Sequence, residues 1–175
     1  MQKIALTLLC VSMLILPGCQ QDERVGVFDV VQVVEFTVPA GLNVVETHFF
    51  QLSNVNSSFD DQLEATGFES SDIASVEPRY CEVRTVFDDI DLDFVRAIEV
   101  HLFDPFLAQS QREVFYLDPV PGNTKNVIRP FPGLQNIKEL LDNPTVGVEV
   151  RVRFFRPPPT TFSFRVDLEF TAFTD

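Results

Sequence analysis

Tryptophan is absent, histidine and methionine occur twice each, cysteine three times and glycine seven times in 175 residues. Each shortage closes off a class of function. Three cysteines cannot supply the dense disulfide frame of small secreted domains. The few glycines sit at turn-like positions and form no glycine-rich loop to cradle a phosphate. Without Trp, a sugar-stacking platform would have to be built from Tyr80 and Tyr116. No G-x-S-x-G elbow occurs, so acyl transfer has no motif to rest on. Basic residues are scarce too: 13 Lys and Arg face 26 Asp and Glu, for a formal charge of −13. Affinity for nucleic acid comes from Lys and Arg displacing condensed counterions, so this balance excludes nucleic acid as a partner. It also denies electrostatic attachment to an anionic lipid surface.

What is present is a globular composition, 45% apolar and 22% charged, with 18 Phe as the natural core formers. At the N-terminus, Lys3 precedes twelve residues without a charge, Ile4 to Ile15. That run is short of the ~20 residues a spanning helix needs and has the size of a signal-peptide core. It ends in Leu16-Pro17-Gly18-Cys19. This tetrapeptide resembles the lipobox of bacterial lipoprotein precursors. The resemblance implies a signal peptide over 1–18, cleavage between Gly18 and Cys19, and a covalent lipid on Cys19: diacylglycerol on the thiol and an acyl chain on the new amino group. It implies a cell-envelope location reached through the lipid anchor. Gln20, standing where Asp would favour inner-membrane retention, points to the outer membrane in a Gram-negative cell. The stretch Val38-Pro39-Ala40-Gly41-Leu42, with Glu46-Thr47-His48-Phe49, is similar to segments of uncharacterised envelope lipoproteins and brings no activity with it.

Processing of this kind removes Lys3 and no acid, so 12 bases and 26 acids leave a charge of −14 on 157 residues. Cys10 departs with the signal peptide and Cys19 is consumed by lipid, which leaves Cys81 alone and rules out an intramolecular disulfide. Residues 19–24 are then a lipidated N-terminus and short tether, and 25–175 a single domain. Five residues, Gln20 to Arg24, reach at most ~17 Å when extended, so the domain should ride close to its membrane.

From Val25 onward the hydrophobic pattern has a period of two. It predicts strands over Val25 to Val38 and Leu42 to Leu52, separated by the turn Pro39-Ala40-Gly41, and over Arg79 to Phe87, Arg96 to Phe103, Glu113 to Leu117 and Asn126 to Phe131. Short helices are expected at Ser58 to Ala65, capped by Ser58 and closed before Gly67, and at Asn136 to Leu141, closed by Asn143-Pro144. The C-terminal strands are the clearest. Val146, Val148, Val150, Val152 and Phe154 alternate with polar or charged residues, and so do Phe162, Phe164, Val166, Leu168 and Phe170. Their adjacency predicts a hairpin, with Phe154 opposite Phe164 so that Arg151 meets Asp167. Seven or eight strands and one or two short helices indicate an all-β antiparallel sandwich of immunoglobulin-like architecture, with a small β-barrel as the alternative.

Candidate sites are few. Asp89, Asp91 and Asp93 match the first positions of a D-x-D-x-D calcium loop, but Phe94 replaces its glycine and Val100 its terminal Glu. The competing reading solvates the Asp side chains and packs Ile90, Leu92 and Phe94 inward. His48, His101 and Cys81 are the soft ligands available to a metal, yet each lies alone within a strand, and no metal is expected from them. Arg156-Pro157-Pro158-Pro159 and Arg129-Pro130-Phe131-Pro132-Gly133 read as rigid loops that block edge-to-edge strand pairing. No catalytic residue is assigned and no cofactor beyond the lipid is expected. The expected function is that of a non-catalytic, lipid-anchored binding or assembly module with an envelope protein as partner. A Ca²⁺-dependent adhesin and a small envelope hydrolase are the alternatives.

Overall fold

The computed structural model describes residues 24–87, 90–107 and 109–174. The signal-like segment, Gly18, Cys19 and Asp89 lie outside them. Two antiparallel sheets face one another. The first has the order β1 (Gly26–Val38), β9 (Phe162–Phe173), β3 (Ser75–Thr85), β6 (Val127–Ile128). The second has the order β2 (His48–Asn56), β8 (Thr145–Phe154), β4 (Val95–Phe103), β5 (Arg112–Leu117), β7 (Phe131–Pro132). This is the all-β sandwich that the alternation predicts, with open sheets rather than a closed barrel.

The period-two pattern is what builds the layers. In β8 the side chains of Val146, Val148, Val150, Val152 and Phe154 are buried, and in β9 those of Phe164, Val166, Leu168 and Phe170. These apolar faces meet across the interlayer space in one continuous cluster. The C-terminal strands nevertheless do not pair as a hairpin. β8 lies between β2 and β4, and β9 between β1 and β3, so Phe154 and Phe164 share no register. Two central strands, each hydrogen-bonded on both edges, satisfy more backbone than a hairpin at the margin of one sheet would. The link between them carries Pro157-Pro158-Pro159, whose missing N–H groups cannot extend a ladder, and it arches from one layer to the other. Charges are matched only in part in the observed register: Arg151 stands against Glu99 and Arg165 against Glu35, but Arg165 also stands against Arg84 and Asp167 against Glu82.

β1 and β2 are divided between the sheets in the same way. β2 starts at His48, not Leu42, because Asn43 folds the intervening chain: its Oδ1 accepts from the backbone of Val45 and Glu46 at 3.0 and 2.9 Å. β3 ends at Thr85, leaving Phe87 exposed. The expected run Asn126 to Phe131 becomes two-residue strands in different sheets, crossing layers at Arg129-Pro130.

α1 (Phe59–Thr66) forms nearly where expected, and Gly67 closes it at φ 78 with its N–H on Leu63 O at 2.9 Å. Ser58 occupies the N-cap but adopts a left-handed backbone and makes no side-chain cap bond. α2 (Lys138–Leu141) is shorter than expected, because Asn136 serves as its anchor rather than its first turn. The Asn136 Oδ1 accepts from Lys138 N at 3.0 Å and Val76 N at 3.1 Å, and Nδ2 donates to Ala74 O at 3.2 Å.

The phenylalanines are not all core. Phe59, Phe94, Phe115, Phe154, Phe162, Phe164 and Phe170 are buried, whereas Phe49, Phe87, Phe106, Phe131 and Phe155 are exposed. Arg24, the last residue of the expected tether, bonds Glu77 at 2.6 Å and lies over the Phe173 ring.

Candidate functional site

The outward face of the five-stranded sheet carries two buried ionisable side chains, His101 and Glu149. Alternation in β4 turns Ile98, Val100 and Leu102 into the core and leaves Glu99 and His101 on the outer face. β8 sends Glu149, Arg151 and Arg153 to that same face. Strict alternation in β5 would turn Glu113 inward with Phe115. A β-bulge prevents this: Val100 pairs with Phe115 and the next residue, His101, pairs with Glu113, so Val114 is the extra residue. The bulge re-aims Glu113 across the strand boundary. One ligand atom from each of Glu99, His101 and Glu113 then lies within 4.8 Å of the others.

Burial and charge shift two groups on this face, Glu149 and His101. Glu149 is buried on the outer face, where it accepts from Gln111 Nε2 and Arg151 Nε, both at 2.7 Å, and from Gln51 Nε2. Burial alone would raise its pKa, but these donors outweigh burial and hold the carboxyl below its usual range. For His101, burial and then the Arg151 charge lower the pKa against the pull of Glu99 and Glu113. Its imidazole is therefore neutral at neutral pH. The His101 side chain is 9% exposed and its Nε2 has no hydrogen-bond partner among the described residues, the nearest carboxylate oxygen among them being Glu99 Oε2 at 3.6 Å. Glu99 is also 4.0 Å from Arg151 and 3.8 Å from Arg153. Those guanidiniums make their shorter contacts elsewhere: Arg151 with Glu149 and with Gln111 Oε1 at 2.9 Å, Arg153 with Asp118 at 2.7 Å. Exposed aromatics border the cluster. Phe49 lies under the Arg151 guanidinium at 5.3 Å, and Tyr116 pairs with Phe131 at 6.4 Å between centroids.

The residues that the sequence singled out are scattered. His48 sits at the start of β2, its Nε2 2.8 Å from Asn43 O and its ring 5.5 Å from Phe154. Cys81 is buried on the inner face of the other sheet opposite Leu168. Burial first, then Asp167 and Glu82, push its thiol well above the usual range, so it stays protonated and inert. His48, His101 and Cys81 thus form no common site. Leu92 and Phe94 are buried and Ile90 packs against the core, while Asp91 and Asp93 line a surface groove of about 510 Å³ with Arg156. Asp93 is bound to Arg156 at 2.7 Å, and Asp89 lies outside the described residues. The rigid Pro158 turn is tied to the β1–β2 loop by Gly41 N donating to Pro158 O at 3.0 Å.

Glu99 and Glu113 are the residues that reading the sequence overlooked. Glu99-x-His101 within a strand does carry a signal, since residues two apart share a face. Comparison with protein-family models and with curated proteins finds no match.

Proposed function

We propose that this chain is a non-catalytic, lipid-anchored protein of the cell envelope that acts as a binding or assembly module, held on the outer membrane where the cell is Gram-negative. The observation that carries this reading is the lipobox-like Leu16-Pro17-Gly18-Cys19 shortly ahead of a folded domain on which Arg24 is docked through Glu77. Arg24 is bonded to Glu77, and the five residues Gln20 to Arg24 reach at most ~17 Å, which limits how far the domain can stand from a lipid on Cys19. At that end α1 carries Asp60, Asp61 and Glu64, which repel anionic headgroups and leave attachment to the lipid. Binding rather than catalysis is favoured by an aromatic-bordered sheet face and by the inert state of Cys81. The partner surface is the outer face bearing Phe49, Tyr116 and Phe131, because aromatics around a polar centre are what protein interfaces concentrate.

Cells fed a fatty-acid analogue should label the wild type and not Cys19→Ala; equal labelling of the two would sink the anchor. A photocrosslinker at Tyr116 in intact cells should recover a defined envelope protein, and one at Val31, on the opposite sheet, should not. Recovery of none under varied growth conditions would overturn the binding role.

A further inference from the structure

We propose that Glu99, His101 and Glu113 form a binding site for a borderline divalent transition metal of the Zn²⁺ class, on the outer face of the five-stranded sheet. Three features of the geometry lead there. The His101 Nε2 is buried, unpartnered and adjacent to two carboxylates, and a buried nitrogen left without a partner is costly unless something occupies its lone pair. Its 3.6 Å separation from Glu99 Oε2 is close to the ligand-to-ligand edge of a tetrahedral zinc site, about 3.4 Å for ligands about 2.1 Å from the ion. Glu113, the exposed member of the trio, is free to close the remaining distance by rotating its side chain.

The donor set selects the metal. One imidazole and two carboxylates suit Zn²⁺ and its neighbours, whereas Ca²⁺ and Mg²⁺ require an all-oxygen shell. Charge is in balance for a dication as well. Glu99, Glu113, Glu149 and Asp118 face Arg151 and Arg153 on this surface, leaving an excess of two acids around a neutral histidine. Both arginines have closer carboxylates than Glu99, so a metal would displace only the long contacts of 4.0 and 3.8 Å. The β-bulge at Val114 gains a purpose on this reading, since it brings a carboxylate to the open side of an orphaned histidine. Three protein ligands leave a fourth position for water or for a side chain of a docked partner.

The test uses the full-length chain in detergent with Zn²⁺ alone as the probe, followed by calorimetric titration and thermal unfolding. One equivalent should bind, and at a hundredfold excess over Kd the midpoint should rise by roughly 5–10 °C. Glu113→Gln, a surface change that leaves the core intact, and His101→Asn should each weaken binding at least tenfold, while His48→Gln should bind as the wild type does. Co²⁺ in place of Zn²⁺ should give the visible absorption of a low-coordinate nitrogen and oxygen shell in wild type and lose it in Glu113→Gln. Absence of a zinc-dependent shift in the wild type would overturn the site. So would unaltered affinity in Glu113→Gln, or loss of binding in His48→Gln alone. None of these readouts depends on Cys19 or on a partner, so a failure here is distinguishable from a failure of the lipid-anchored reading.

Discussion

Phe170→Ala is expected to lower the unfolding free energy by about 3–5 kcal/mol, a large share of the 5–15 kcal/mol typical of a single domain. Phe170 is fully buried in β9, opposite Val30 of β1 and Pro78 of β3, and its ring packs on Phe115 of the other sheet at 5.7 Å between centroids. Removing it opens a cavity at the point where the layers touch. The neighbours cannot collapse into the space, because β9 is hydrogen-bonded on both edges. Phe49→Ala supplies the contrast: an exposed ring on the outer face should cost well under about 1 kcal/mol. Urea denaturation of both variants checks the pair, the midpoint falling sharply for Phe170→Ala with the slope unchanged. Equal midpoints would mean that the apolar interlayer is not what holds the sheets together.

That core is also the part of the fold most legible in the sequence. Alternation states which face of a strand is buried, and it does so correctly for Cys81, Val83 and Thr85 of β3 and along β8 and β9, whereas in β1 Gln32 is buried and Val31 and Val33 are exposed. It is silent on which strand lies alongside. β8 and β9 look like a hairpin because they are adjacent and both alternate, yet their apolar faces point at one another across the sandwich rather than lying side by side in one sheet. The charged rows do not settle it either, for Arg151 meets Glu99 and Arg165 meets Glu35, but Arg165 also meets Arg84 and Asp167 meets Glu82 in the actual registers. The candidate site was half visible for a similar reason. Glu99 and His101 share a face by parity alone. Glu113 has the parity of the buried Phe115 and reaches the outer face only through the extra residue Val114, a bulge that no hydrophobic period announces. Cys19 depends on a tetrapeptide outside the described residues, and its chemistry is left to the labelling experiment.

Arg151→Met should destabilise the domain by about 2–3 kcal/mol at neutral pH, and the loss should shrink under acid. Glu149 is 4% exposed in its side chain, and Arg151 Nε is the one cationic donor bonded to it; the others, from Gln51 and Gln111, are neutral. Removing one member of a buried pair leaves the other charge uncompensated, which costs about 3–5 kcal/mol in a closed interior and less here, where Arg151 keeps 25% of its surface in water. The sign with pH follows from linkage. In the wild type the Glu149 pKa is lowered, so its stabilising effect is complete above the ordinary value of 4.5 and is lost as pH falls through the folded value beneath it. Without Arg151 its hydrogen bond and charge no longer lower the carboxyl, and the folded pKa moves up from its wild-type position, so the wild type loses more stability on protonation than the variant does. The two stability curves should therefore converge below about pH 4. Chemical denaturation from pH 3 to 7 measures the convergence. A difference that stays constant across that range would show that Arg151 acts by packing over Phe49 and not by neutralising Glu149.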